Sequence, residues 1–200
     1  MFLSDPPRDP AVSALYDQAL ADDGYVMNLV RVWAWRTDVH SAFMETRNVL
    51  RRETTLSEQE IAVLNAATAS HRSDAYCSIA WGTRLAEMTD ADTAGAVLRG
   101  EEPPRLTDRE SALARWAAMV VRDPNATTST DVETLRAAGL SEREIVDATL
   151  FIALRVAFTT VNAALGAQPD RELADLAPVE VLRSVTFGRT VGRPARPTFR

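Results

Sequence analysis

Closely spaced helix-start signals constrain the fold of this 200-residue chain more than any other feature of its sequence. At four predicted helix starts a Ser or Thr is followed three residues later by Glu. This is the capping-box pattern, in which the hydroxyl accepts from the N3 amide and the Glu accepts from the N-cap amide. The predicted boxes are Ser57/Glu60, Thr107/Glu110, Thr130/Glu133 and Ser141/Glu144. Glycines also stand where left-handed helix ends are expected, at Gly24, Gly100, Gly139 and Gly166.

Between these signals the apolar residues recur at spacings of three and four, and no run alternates with the period of a strand. The predicted helices cover 10–22, 24–35, 38–53, 57–72, 75–89, 90–99, 108–122, 130–138 and 142–165, and a tenth begins near Pro178. The longest apolar stretch, 148–165, has Arg155 near its middle and therefore predicts a buried core helix rather than a membrane span. The sequence predicts an all-α fold with one domain over 1–182 and a tail over 183–200.

The composition excludes several kinds of chemistry. All 22 basic residues are Arg, so a Walker P-loop and Schiff-base catalysis, which need Lys, are excluded. One Cys (Cys77) and two His (His40 and His71) cannot form a zinc finger, an iron–sulfur site or an intrachain disulfide. We therefore expect no metal and no cofactor. A lone Cys without a preceding signal peptide is typical of a cytoplasmic protein.

Charge is unevenly distributed along the chain. The net charge of −6 disfavours nucleic acid as a partner. Residues 1–182 contain 17 Arg and all 28 acidic residues, whereas the tail contains five Arg and no acid. We expect this basic tail to dock on its own domain or on a neighbouring subunit, with binding to a polyanion as the alternative.

The segment 56–88 contains the residues best placed for chemistry. It predicts a helix, a break at 72–74 and a second helix whose first turn contains Cys77. Free amides at a helix start lower the pKa of a thiol there, whereas Asp74, one turn earlier, opposes this effect. Trp81 and Arg84 follow on the same face. Cys77 is either a reactive thiol at this site or a small buried core residue.

This layout resembles the carboxymuconolactone decarboxylase and alkylhydroperoxidase D-like (AhpD-like) superfamily over about residues 28–166. The similarity rests on Tyr76-Cys77 opening a helix, on the repeated Leu-Ser/Thr-x-x-Glu helix starts, and on LRAAGLSEREIV at 135–146. Asn28-Leu-Val-Arg31 and the NAALG segment at 162–166 extend it to both ends. The resemblance implies an AhpD-like helical bundle that forms homo-oligomers, commonly trimers or hexamers, through its long apolar helices.

The peroxidase branch of that family carries Cys-x-x-Cys, a His four residues later and a Glu twelve residues before the first Cys. On this chain these positions are Asp74, Cys77, Trp81 and Ala62, so the second thiol alone is present. The resemblance implies that Cys77 is the peroxide-reactive thiol. Candidate replacements for the missing proton relay are Asp74, Glu58 and His71, with Tyr76, Trp81 and Arg84 lining the site.

Three functions follow from this pattern. The first is a thiol-dependent, peroxiredoxin-like antioxidant enzyme that uses Cys77 and an external thiol reductant. The second is a cofactor-free, lactone decarboxylase-like activity that does not use Cys77 and holds an organic acid through Arg84 or Arg155. The third is a non-catalytic oligomeric binding protein with a degenerate motif.

Overall fold

Eleven α-helices make up the fold in the computed structural model, which describes residues 1–192. They are α1 (Pro10–Asp23), α2 (Asn28–Trp33), α3 (Thr37–Glu53), α4 (Glu58–His71), α5 (Ala75–Met88), α6 (Ala91–Arg99), α7 (Asp108–Arg122), α8 (Ser129–Ala137), α9 (Glu142–Ala164), α10 (Arg171–Leu176) and α11 (Val179–Ser184). Short 3₁₀ turns lie at Ala34–Arg36 and Pro124–Ala126. No strand occurs within residues 1–192, so the predicted all-α class is confirmed.

Three of the four predicted capping boxes form as expected, at the starts of α4, α7 and α9. The fourth, Thr130/Glu133, is wrong. The box that opens α8 is Thr128 with Asp131, whose carboxylate accepts from the Thr128 amide at 2.7 Å. Because a short Asp can also reach the N-cap amide, α8 begins one residue earlier than predicted.

The start of the predicted helix 24–35 is also wrong, since α2 begins only at Asn28. Gly24 takes a left-handed φ of 80° and ends α1, and a short connection follows it. The start of α2 is capped from far along the chain, because Asp170 Oδ1 accepts from the Asn28 amide at 3.0 Å. A cap that is 142 residues away leaves no local pattern. The same carboxylate stands at the start of α10, a helix that the sequence did not predict.

Helix α4 lies at the centre of the fold and is buried without a break from Glu60 to Ser70. It packs against α5, α6, α7 and α9. In contrast, α3 has no fully buried residue and leaves Val39 and Val49 exposed. Val146 and Leu150 are exposed on α9. Association of further copies through such helices remains a prediction. No helix within residues 1–192 combines the length and apolarity of a membrane span.

The first part of the basic tail contacts the body of the protein. Arg189 donates to the Ala163 carbonyl at 3.1 Å, and the Gly192 amide donates to the Pro169 carbonyl at 2.8 Å. Gly188 lies so close to the start of α5 that an added Cβ would be 2.8 Å from the Ala75 nitrogen. The tail therefore packs on its own domain through residue 192, and residues 193–200 lie outside the described residues.

Candidate active site

The turn between α4 and α5 places Cys77. Ser73 takes a left-handed φ of 53°, and the Asp74 amide donates back to the Ala69 carbonyl at 3.0 Å. The Asp74 carboxylate then caps α5 by accepting from the Cys77 amide at 2.7 Å. This bond fixes Cys77 in the first turn of α5, as the sequence predicts, with its side chain directed into the protein.

The Cys77 thiol is buried beside a guanidinium. Cys77 is 3% exposed, and Nη1 of Arg155 lies 3.6 Å from its Sγ. The pKa of the thiol is raised to about 12, chiefly by burial and also by Asp74, and Arg155 offsets part of this rise. The sequence left the direction of this pKa open, because the helix start and Asp74 act in opposite senses. Loss of water favours the neutral thiol and outweighs the nearby cation.

Arg155 is held rigidly in this position. Its Nε donates to Asn65 Oδ1 at 2.7 Å, and Asn65 is itself anchored by donating to the Ile61 carbonyl at 2.7 Å. The guanidinium lies 5.0 Å from the Trp81 ring centroid and 5.6 Å from that of Phe158. Contacts with two rings and an amide fix the cation before any substrate arrives.

A cavity of about 240 Å³ opens onto this pair. Apolar side chains, including Leu29, Phe158 and Leu173, form much of its wall. Cys77 and three arginines, Arg47, Arg84 and Arg155, supply its polar groups. The arrangement can therefore hold a small apolar molecule against a thiol and several cations. Among residues 1–192, no group of three or more His, Cys, Asp or Glu side chains is placed to hold a metal ion.

Two of the three cavity arginines have no ion pair with an acidic residue among residues 1–192. Arg84 Nη2 lies 3.9 Å from a Glu58 carboxylate oxygen. Within the part of the chain that the structure describes, neither Arg47 nor Arg155 lies within ion-pair distance of a carboxylate. Burial and the charge of Arg155 lower the pKa of Arg47 to about 10.

The structure brings four of the sequence-predicted residues together, because Tyr76, Trp81 and Arg84 line the cavity with Cys77. The Tyr76 hydroxyl already has a hydrogen-bond partner, since it donates to the Asp170 carboxylate. Burial raises the pKa of Asp170 to about 6 and raises that of Tyr76 well above its ordinary value. Tyr76 therefore supplies a wall and anchors the start of α10.

The other predicted residues lie around the cavity or away from it. Asp74 is buried at the start of α5, beside Cys77. Glu58 pairs with Arg51 and Arg84 outside the lining residues. His71 was a candidate for the missing relay, but it is exposed and lies beside Gly100 in a separate pocket. Its Nδ1 is 2.9 Å from the Ala67 carbonyl in the last turn of α4, and His71 is not among the residues that line the Cys77 cavity.

Sequence reasoning missed Asn65, Arg47 and Phe158, and it considered Arg155 only as a holder for an organic acid. Two of the four had a signal. Asn65 and Arg155 are single polar residues inside otherwise apolar helical stretches. A buried polar side chain requires a partner, so each such interruption indicates a contact between helices. Arg47 had no signal, since it is one of several arginines on α3.

No protein-family model and no curated protein matches this chain. Solved structures do match it. An uncharacterised peroxidase-related protein from Silicibacter sp. TM1040 superposes with a TM-score of 0.76 at 22% identity, over 86% of this chain and 93% of that one. A peroxidase-related protein from Ralstonia eutropha JMP134, described as an alkylhydroperoxidase AhpD core, gives 0.76 at 20% identity, over 86% and 93%.

The debrominase Bmp8 has a similar fold. A cysteine-to-alanine variant of it in complex with 2,3,4-tribromopyrrole superposes with a TM-score of 0.72 at 14% identity, over 92% of this chain and 98% of that one. Identities this low show a shared fold and not a shared activity. The chain therefore has the AhpD-like fold that its motifs predicted.

Proposed function

We propose that the protein is a single-cysteine, thiol-dependent reductase of small peroxides. One observation carries the proposal: the Cys77 sulfur and the Arg155 guanidinium lie 3.6 Å apart at a cavity of about 240 Å³. A guanidinium at this distance stabilises the negative charge that develops on sulfur and on the leaving oxygen. The structural neighbours described as peroxidase-related share the fold on which this pair is built.

The reaction needs one enzyme thiol and two external ones. Sγ of Cys77 attacks one peroxide oxygen, the O–O bond breaks, and its electron pair leaves on the other oxygen, which takes up a proton and departs as an alcohol or as water. Cys77 is then a sulfenic acid. A low-molecular-mass thiol condenses with it and releases water, and a second such thiol restores Cys77 and departs in a disulfide.

Asp74 is the base that this reaction requires. A thiol whose pKa is about 12 is protonated at neutral pH, so its proton must be removed during the attack. The Asp74 carboxylate interacts with the thiol, and burial raises the pKa of Asp74, which makes it a better proton acceptor. Asp74 takes the thiol proton and passes it to the leaving oxygen.

The test is peroxide-dependent consumption of an external thiol. Cys77→Ser should abolish it, and mass spectrometry of the wild-type protein should show Cys77 alone oxidised during peroxide titration. A suitable control is Ser78→Ala, which alters a buried neighbour whose hydroxyl has no hydrogen-bond partner among the described residues. Unchanged turnover in Cys77→Ser would overturn the proposal.

The pH profile tests the role of Asp74. With Asp74 as the base, the rate constant for peroxide should stay nearly constant from pH 7 to 9, since hydroxide is not needed to generate the thiolate. Asp74→Asn keeps an effective N-cap but removes the base. Its rate should be lower at pH 7 and should rise about tenfold per pH unit, because hydroxide must then generate the thiolate. A rate constant that rises about tenfold per pH unit in the wild-type protein would contradict the role of Asp74 as the base.

A second candidate is a lactone decarboxylase-like reaction on an organic acid. The arginines Arg47, Arg84 and Arg155 on one cavity favour it, because they would bind a carboxylate substrate without using the thiol. This function predicts that turnover of such an acid persists in Cys77→Ser. The same variant therefore distinguishes the two functions.

A further inference from the structure

Two cations in one cavity, Arg47 and Arg155, form no ion pair within the described part of the chain, and this needs an explanation. A guanidinium taken out of water without an opposite charge costs free energy, so such groups normally have an acidic partner. Arg109 illustrates the usual outcome, since Glu60 and Glu144 both bind it. Arg155 is buried and has no ion pair among residues 1–192, although Asp74 acts on its charge from beyond ion-pair distance. Arg47 is half-buried, and no acidic residue in this range pairs with it.

Arg47 makes few contacts in the protein without a ligand. It carries no contact to the sulfur, and among the described residues its guanidinium donates only to Met44 Sδ, at 3.4 Å. It lies 5.8 Å from the Phe158 ring centroid, so the same ring has Arg155 and Arg47 beside it. Phe158 does not neutralise either charge, and the two cations repel each other, as the lowered pKa of Arg47 shows.

The rest of the cavity limits what the missing anion can be. Trp81 and Phe158 supply flat aromatic walls, and Leu29 and Leu173 supply aliphatic ones. A hydrated inorganic anion would gain nothing from these walls. At about 240 Å³ the cavity is smaller than the ~300–1,000 Å³ of most ligand pockets. A single ring that bears one acid group fits both the charges and the walls.

We propose that the cavity binds a small organic anion, a planar apolar body with one carboxylate, and that Arg47 holds the carboxylate while Arg155 stays with Cys77. This inference rests on the proposed function and deepens it, because it makes the substrate a carboxylate-bearing peroxide rather than hydrogen peroxide. The acid group binds to Arg47, which leaves the peroxide oxygens free to reach the sulfur.

Binding can be measured without turnover. Isothermal titration calorimetry on the whole chain should give benzoate a dissociation constant at least about tenfold lower than that of its neutral isostere benzamide, since one charge-assisted contact is gained. Acetate and inorganic phosphate should bind more weakly than benzoate because they lack the ring. Arg47→Met should bring benzoate to the level of benzamide.

Matched variants keep this test interpretable. Arg51→Met removes an arginine one turn further along α3 that pairs with Glu58, and it should leave the preference for benzoate intact. Arg47→Gln keeps a hydrogen-bond donor without the charge and should lose the preference as Arg47→Met does. Equal binding of benzoate and benzamide, or phosphate binding as tightly as benzoate, would overturn the proposal.

Turnover measurements distinguish this inference from the proposed function. The para-carboxylate of cumene hydroperoxide should have a higher kcat/KM than the corresponding carboxamide, and Arg47→Met should remove that difference. A preference for benzoate without Cys77-dependent turnover would contradict the proposed function and support the anion site. Cys77-dependent turnover with equal binding of benzoate and benzamide would overturn the anion site alone.

Discussion

Two groups of arginines in this molecule differ in what surrounds them. Arg109, on α7, donates to Glu60, to Glu144 at 2.6 Å and to the Gly139 carbonyl at 2.6 Å. It therefore joins the starts of α4 and α9 to the turn before α9. Arg47 and Arg155, on α3 and α9, contact a thiol, an amide, a thioether and aromatic rings instead. Among residues 1–192 neither has a carboxylate within ion-pair distance, although the charge of Asp74 acts on Arg155 from further away.

The difference indicates what each group does. In the Arg109 group each carboxylate also accepts from the amide of its own N-cap residue, so the charges hold helix ends in place. Among the described residues, Arg47 and Arg155 make no ion pair with a helix-capping carboxylate. On the proposal above, their charge is a cost to the folded protein that a bound anion would offset. The comparison therefore predicts opposite responses to the same substitution.

Arg109→Met should destabilise the protein the most. Glu60 is buried and would keep its charge without its cation, and breaking such a pair from one side typically costs about 3 kcal/mol or more. The measurement is urea unfolding followed by far-UV circular dichroism, with the shift in midpoint converted to a free energy of unfolding. A loss below about 1 kcal/mol would mean that water replaces Arg109 at no great cost.

A fall in pH should weaken the ion pair between Arg109 and Glu144, because Glu144 becomes protonated. Burial would raise the pKa of Glu144, but bonds from Ser141 and Arg109 outweigh it and lower the pKa from 4.5 to about 2. The unfolded chain therefore binds a proton more readily than the folded protein between these values. The stabilising contribution is present above about pH 4.5 and is lost as the pH falls towards 2.

Substitution of Glu144 tests whether this residue causes the predicted dependence of stability on pH. Urea midpoints at pH 7, 5 and 3 should fall less steeply in Glu144→Gln than in the wild-type protein, because the Gln side chain does not titrate. Arg47→Met should have the wild-type slope, since Arg47 has no carboxylate partner among the described residues. Identical slopes in Glu144→Gln and the wild-type protein would contradict the role of Glu144.

The sequence predicted the parts of this molecule that depend on short-range order. Ser57 with Glu60, for example, forms its capping box within one helical turn, so a pattern of four residues is sufficient. Cys77 at the start of α5 was found in the same way. The Arg155–Asn65 contact was not, because it joins residues 90 apart. Asp170 likewise caps α2 across 142 residues. Pairings at such separations depend on how helices pack, which periodicity does not encode.

The raised pKa of Cys77 shows a second limit. Helix position and neighbouring charges can be read from a sequence, and both were considered for this thiol. Burial could not be read with the same certainty, because a lone Cys in an apolar helix is compatible with a cavity wall or a filled core. Burial is the largest contribution to the pKa of this thiol. The position of Cys77 was therefore more predictable than its protonation.

The smallest effect on stability is expected for Arg47→Met, and it completes the comparison. This change removes a charge that has only Met44 Sδ as a hydrogen-bond partner among the described residues and leaves no carboxylate unpaired. The free energy of unfolding should stay constant or rise by up to about 1 kcal/mol, because Met fills similar space without desolvating a cation. Urea unfolding at pH 7 beside Arg109→Met measures it. A loss above about 1 kcal/mol would place Arg47 in the same class as Arg109, as a structural cation, whereas unchanged stability together with lost benzoate binding would separate the two arginine groups by function.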